Sequence, residues 1–600
     1  MPETLVPLQG STPHNTHPKV GPANGDDPVE VTIKLRRKTQ EGLPTTAEFI
    51  AGQRAVGVTR QVLADRYGAS PQDIEAVRAW AVSQGLSVSR ADPGQRQMLV
   101  VGSVAAMSAA FGVTLSIYRH ARRGVDFRCP EGEIHIPQSL SGIITGVFGL
   151  NTMPIMVRKS ARVGRKAPTT DLKKMWPTAF YPQEVAQLYN FPPGGGAGQR
   201  VAVLEFGGGY DPAVLKQYFT KTIGLPVSPT VNSISVLGVK NTLDQDVTGE
   251  VYLDIEVIGA MAPKATVDVY FAPWTGEGFL GAIQQAIAND DYAAISISYG
   301  FDEDMQGSPG NPTWPMLKDN VDEAFGDAIA VGIPVFVSSG DQGSSSQRGQ
   351  LQNGEEVTVF APAAHAAYPC TSPFATAVGG TLLYAKNGAI THEVVWNELG
   401  ELQQNQFYMG GATGGGVSDR YPQAPSYQTK AGVNLLSVNT PPAPGRCIPD
   451  VAGNAGASTG YLVSQPPGSR VPIAPVGGTS AAAPMWAALW ACVKTALNPA
   501  SPTAPLANFV FNDFAYAAGG TKAFNDIVGG QAFHFDPTHG LEPGAFTPVG
   551  NNRSNQADGY YAKAGYDLCT GWGTPNGVEV LNQLQTWLAA QPAKAPAPVS

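Results

Sequence analysis

Four short, almost wholly apolar runs constrain the fold of this chain: RVAVLEFG (200–207), ATVDVYFAP (265–273), AAISISYG (293–300) and GIPVFVSSG (332–340), each ending in small or polar residues. A strand with one wet face alternates apolar and polar residues, whereas a strand that is apolar throughout must be covered on both faces. Helical segments lie between the runs, among them GEVYLDIEVIGAMA (249–262) and the stretch from Met316 to Val331. Buried strands alternating with helices predict an α/β domain with a doubly wound parallel sheet. Its site should gather at the carboxyl ends of the strands, here Ser298–Gly300 and Ser338–Asp341.

A second pattern precedes it. Residues 1–28 are polar, with Pro, Gly, His and Asn, and are expected to be disordered. From Val29, VEVTIKLRRK alternates like a strand, and PQDIEAVRAWAVSQG has helical spacing with Ser70 as N-cap. LSVSRA, RQMLVVG and VTLSIYR read as strands and SVAAMSAAFG as a helix. This β-α-β-β-α-β order predicts an α+β ferredoxin-like domain over residues 29–157. Residues 158–175 carry Arg158, Lys159, Arg162, Arg165, Lys166, Lys173 and Lys174 without apolar periodicity, and read as a solvated linker open to proteolysis. The α/β domain takes residues 176–600.

Composition excludes several functions. Net charge is −9 with no basic stripe, so nucleic acid is not an expected partner. The charged fraction of 14% leaves few surface groups to repel one another in acid. Apolar runs such as Ala328–Val337 are too short to cross a bilayer, so no membrane is expected. The N-terminus lacks a basic start followed by an apolar core, so no ordinary signal peptide is visible. Five scattered cysteines suit neither a disulfide scaffold nor a zinc site; one disulfide is possible, with no pairing legible.

The strongest chemical signal is VGGTSAAAPMWAALWACV (476–493). Two glycines allow close backbone approach, and Ser480 then opens an apolar helix whose free N–H groups suit a nucleophile that becomes part of an anionic intermediate. A lone Ser here would read as a helix cap; Gly-Thr-Ser-x-x-x-Pro is a nucleophile motif. None of the eight histidines stands in a context that would supply a base. Glu250 and Asp254 do: four residues apart on an otherwise apolar helix, their Cβ atoms lie roughly 5–6 Å apart on one face. Two such acids cannot both ionise cheaply, so one pKa rises and the pair can accept a proton where imidazole is already protonated. Asp341 follows a buried strand in a Gly-flanked turn, and a protonated Asp there could donate to an oxyanion. Glu256 lies on another face and reads as bland.

These residues resemble the sedolisin family of serine-carboxyl peptidases, of the kumamolisin type. FGGGYD (206–211), the Glu250/Asp254 helix, SSGDQG (338–343), TGGGVS (413–418), VGGTSAAAP (476–484) and GYDLCTGWGTP (565–575) follow in the family's order. The resemblance implies a subtilisin-like catalytic domain and an inhibitory prodomain, with acid-active endopeptidase chemistry on protein or peptide substrates. It implies Ser480 as nucleophile, Glu250 as general base, Asp254 as its partner and Asp341 as oxyanion donor. Glu205 matches a glutamate behind the carboxylate pair, and Tyr299 stands where kumamolisin-type enzymes use Trp. Ala367 replaces an acidic pocket residue of a close relative, which removes the basis for a preference for basic side chains.

The resemblance further implies one structural calcium, held by Asp526 and Asp567 side chains and by the carbonyls of Ile527, Lys563 and Gly565, although two Asp in Gly-rich loops are by themselves ordinary turn formers. A secreted monomer, matured by cleavage within about Ser160 to Lys174, completes the expectation. A subtilisin-like peptidase is the nearest rival and lacks its His. A peptide-binding scaffold that kept the fold is the other, and Tyr299 is its only hint.

Overall fold

The computed structural model describes residues 3–591 except 14, 16, 121–123, 156, 159–160, 164–171, 245–246, 304–314, 345–346, 353–354, 361–362, 399–407, 410, 470, 499–505, 507, 529, 537–539, 548–549 and 552–558. The four apolar runs become neighbouring strands of one sheet. We number its elements β1 (Arg200–Phe206), β2 (Thr230–Ser235), α1 (Thr248–Met261), β3 (Thr266–Ala272), α2 (Gly276–Asn289) and β4 (Ala294–Ile297). There follow β5 (Tyr299–Asp302), α3 (Pro315–Ala330), β6 (Val335–Ser338), β7 (Thr376–Lys386), β8 (Ala389–Val395), β9 (Val451–Asn454), β10 (Ile473–Gly477) and α4 (Thr479–Leu497). The sheet runs β2-β3-β1-β4-β6-β7-β8, with β9 also on β7. All its pairings are parallel except the β7–β8 hairpin. Every residue of β4 and β6 is buried, as strands covered on both faces require. α1 and α4 pack against each other on one face; α2 and α3 pair on the other.

The N-terminal domain has the ferredoxin-like sheet, with a different fourth strand from the one expected. Strands Ser87–Asp92, Gln97–Ser103, Pro28–Leu35 and Ile144–Phe148 pair in that order. Ser70 caps helix Pro71–Ser83 through the Asp73 amide, as its position before Pro71 predicts. Thr114–Arg119 instead joins a separate sheet with Lys19–Pro22 and Asp126–Glu131.

That sheet corrects the expected disorder of residues 1–28. Lys19–Pro22 finds the open edge of Thr114–Arg119, and Leu5–Pro7 pairs with His135–Pro137. A polar segment gains order here from backbone bonds to a preformed edge, and Leu8 adds a buried apolar anchor. The domain docks on α2 and α3: Arg37 and Arg96 each pair with Glu323 and Asp327, and Thr32 donates to Glu277 at 2.6 Å.

The solvated linker over 158–175 also needs correction. Val157–Arg158 pairs with β5 and Ala161–Val163 with β10, while Leu172–Met175 is a helical turn whose Met175 packs with Leu462 and Ala474. Strand edges left open at the cleft take up the backbone groups that solvent was expected to satisfy. Much of the expected cleavage region, 164–171, lies outside the described residues.

Candidate active site

α4 places Ser480 in its first turn. Gly478 precedes it at φ 101°, a conformation that favours glycine, which turns the chain from β10 into the helix. Pro484 lies inside the helix. It has no N–H to give to the carbonyl four residues back, which is that of Ser480. The Ser298 hydroxyl donates to that carbonyl at 3.2 Å. The Ser480 hydroxyl in turn donates to the Ser298 carbonyl at 3.1 Å, so the ends of β4 and α4 are cross-linked at the nucleophile.

The Ser298 hydroxyl also stands 2.7 Å from Asp254 Oδ2, so its single proton serves the carboxyl or the Ser480 carbonyl, not both at once. Asp254 and Glu250 share the face of α1 turned to the strand ends, both wholly buried. Burial first, and then the charges of Glu205 and Glu250, push the Asp254 carboxyl well above its ordinary range. Behind them the Tyr299 hydroxyl donates to Glu205 Oε2 at 2.7 Å, so the phenol reaches the glutamate that the sequence placed in the chain of bonds. Burial and the neighbouring carboxylates raise the Tyr299 pKa well above that of a free phenol, which keeps it a donor.

Asp341 stands just beyond β6. Its Oδ1 accepts from the Thr479 amide at 2.9 Å and hydroxyl at 2.8 Å, and the Thr479 hydroxyl accepts from Gly340 N–H at 3.0 Å. Hydrogen bonds thus link Asp254 through Ser298 to Ser480, Tyr299 to Glu205, and Asp341 to the residue before Ser480, with Glu250 one turn along α1 from Asp254. The sequence marked the strand end at Ser298 but gave its hydroxyl no role, and Thr479 was read only as part of the nucleophile motif. Glu256, read as bland, is buried and accepts from Ser464 N–H at 2.7 Å.

Asp526 and Asp567 also come together. Gly565 N–H donates to Asp526 Oδ2 at 2.8 Å, which draws the Asp526 loop onto the segment that carries Lys563, Gly565 and buried Asp567. The Asp567 carboxylate accepts from the amides of Lys563 at 3.3 Å, Cys569 at 2.8 Å and Thr570 at 2.9 Å, and carboxylate oxygens of this kind are the hard donors that calcium takes. All five cysteines are buried thiols without a disulfide. No helix among the described residues is long and apolar enough to cross a membrane.

The N-terminal domain leads directly into this cleft. Ile155 N–H donates to the Trp274 carbonyl at 2.9 Å, and Val157 and Arg158 pair antiparallel with Gly300 and Tyr299. Ala161 and Arg162 pair with Gly477 and Val476, on the approach to Ser480. The two pairings bracket the nucleophile.

Comparison with known proteins agrees with this architecture. Residues 16–153 match the pro-kumamolisin activation domain. Kumamolisin of Bacillus sp. (strain MN-32) is 36% identical over 577 residues, 94% of this chain and 93% of that protein. Sedolisin of Pseudomonas sp. (strain 101) is 27% identical over 91% of this chain and 85% of its own. The solved Pseudomonas sedolisin, a serine-carboxyl proteinase complexed with two molecules of pseudo-iodotyrostatin, superposes with a TM-score of 0.51 at 25% identity, covering 68% of this chain and 98% of that one. The chain belongs to the sedolisin family of serine-carboxyl peptidases. Within that family it is similar to kumamolisin over nearly its full length, activation propeptide included.

Proposed function

We propose that this peptidase is an acid-active endopeptidase made as a self-processing zymogen. The observation that carries the reading is the cross-link of Ser480, Ser298 and Asp254, with Glu250 one helical turn from Asp254 and Asp341 fastened to the residue before the nucleophile. Ser480 Oγ forms the bond to the substrate carbonyl carbon while its proton passes to Glu250. The raised Asp254 keeps its own proton, so the negative charge of the pair falls to Glu250. The carbonyl electron pair moves onto oxygen, where a protonated Asp341 donates to it. Collapse breaks the C–N bond as Glu250 returns the proton to the leaving amine. Water then hydrolyses the acyl-enzyme by the same route. Tyr299 and Glu205 position the carboxylate pair from behind.

Inhibition follows from the segment in the cleft. A chain paired on both sides of Ser480 excludes any other peptide, so the prodomain is an intramolecular inhibitor until the chain is cut within about Ser160 to Lys174. One structural calcium, held by Asp526, Asp567 and the carbonyls of Ile527, Lys563 and Gly565, would tie two C-terminal loops together and take no part in the chemistry. The mature enzyme acts as an exported monomer on protein and peptide substrates; its need for a protonated Asp341 suits an acidic medium outside the cytoplasm.

The test is the pH profile of kcat/KM on an unfolded protein substrate, beside Ser480→Ala. A maximum in acid, absent from the variant, is expected. A maximum at neutral pH or above contradicts the reading.

A further inference from the structure

The chain that enters the cleft is held far upstream of the nucleophile as well as beside it. Ile155 lies three residues before Arg158, the residue opposite Tyr299. Its N–H is taken by the Trp274 carbonyl, which belongs to the loop after β3, across the cleft from β5. The backbone is therefore held at two points, by the Trp274 loop at Ile155 and by β5 at Val157 and Arg158. Such pairing reads backbone, and pockets for individual side chains add selectivity.

Ile155 fills one such pocket. It is only 6% exposed, and its backbone is fastened to Trp274. The aromatic walls brace one another edge to face: Trp274 on Tyr299 at 5.6 Å and Phe206 on Tyr299 at 5.0 Å between ring centres. Trp274, to which Ile155 is bonded, thus stands against the ring that bonds Glu205.

We propose that this pocket is a distal substrate subsite that selects a bulky aliphatic side chain three residues upstream of the substrate residue that pairs with Tyr299. The inference rests on the peptidase reading above and adds its substrate class. The preferred substrate is an extended chain with an apolar residue well before the bond cut. A substrate read this far upstream cannot be one from which only three residues are removed, so the cleft is built for internal cleavage.

The matured enzyme is tested on three synthetic peptides with the sequence of residues 150–163, LNTMPIMVRKSARV, and its Ile155→Gly and Ile155→Asp forms. Cleavage is followed by mass at acid pH, with digestion of a denatured protein as a parallel assay. The parent peptide should be cut with kcat/KM at least about tenfold above either variant, the scale of selection by one apolar side chain. Enzyme that digests the protein but cuts all three peptides equally, or cuts none, overturns the subsite and leaves the catalytic reading intact. Enzyme that digests neither protein nor peptide overturns the catalytic reading, and the subsite falls with it.

Discussion

Asp341 Oδ1 accepts two hydrogen bonds from Thr479, one from the amide at 2.9 Å and one from the hydroxyl at 2.8 Å. An oxygen that takes two donors is the poorer place for a proton, so the proton of a neutral Asp341 belongs on Oδ2, from which it can donate to an oxyanion. Asp341→Asn should place its carbonyl where Oδ1 is and an N–H where the proton was. That N–H donates at every pH. The variant should lose less of its kcat/KM between pH 4 and pH 7 than the native enzyme does, even if its maximum falls about tenfold. Parallel profiles for the two enzymes would show that Asp341 does not set the neutral limb.

Tyr299 and Glu205 give a second prediction. Tyr299→Phe removes the donor to Glu205 and leaves a buried carboxylate short of a bond, at a cost of about 1–3 kcal/mol. As Tyr299 acts through the carboxylate pair, kcat should fall about tenfold with KM within twofold, and Tyr299→Trp should restore much of it. Equal loss in kcat and KM, without rescue by Trp, would make the phenol a packing residue only.

Buried carboxyls set the dependence of stability on pH. Burial pushes Glu256 up to about 8 and Glu277 to about 7, with weaker opposing hydrogen bonds from Ser464 and Thr32, and Asp322 to about 6. Each holds its proton to higher pH when folded than when unfolded. Folding therefore takes up protons: stability is fully present below the unfolded values near 4 and is lost as pH rises through 6 to 8. Glu256→Gln should leave the melting temperature at pH 4 unchanged and raise it at pH 8. Identical shifts at both values would refute the titration.

The calcium proposal is checked by chelation. EDTA should lower the melting temperature of the matured enzyme by about 5 °C or more, calcium but not magnesium should restore it, and Asp526→Ala should abolish the response. An enzyme indifferent to EDTA, with no calcium by elemental analysis, contradicts the assignment.

The sheet was legible because two-sided burial leaves an unmistakable residue pattern: β1, β3, β4 and β6 fall within the four runs read at the outset. Glu250 and Asp254 were legible for a related reason, since a helical period on an apolar background makes a pair of acids conspicuous. Ser298 was not, because a serine at a strand end does not say that its hydroxyl bridges Asp254 on α1 to the Ser480 carbonyl on α4. Partner choice was equally hidden. Thr114–Arg119 has the pattern of a strand, but nothing local says that it pairs with Lys19–Pro22 while Ile144–Phe148 takes the expected place. The polar N-terminus failed the same way: its order comes from edges more than a hundred residues distant, such as His135–Pro137. The carbonyl ligands of the calcium site were carried by resemblance alone, since a backbone oxygen has no signature in sequence.

The central claim is that Ser480, driven by acid, cuts the chain that runs past it. The most direct measurement is the intact mass of the purified precursor, native and Ser480→Ala, after a shift from pH 7 to pH 4. The native chain should shed its N-terminal domain, with the new terminus within about Ser160 to Lys174, and then digest a denatured protein, while the variant keeps its full mass. A native chain that stays intact for hours and digests nothing, or a variant that matures just as fast alone, would contradict the account.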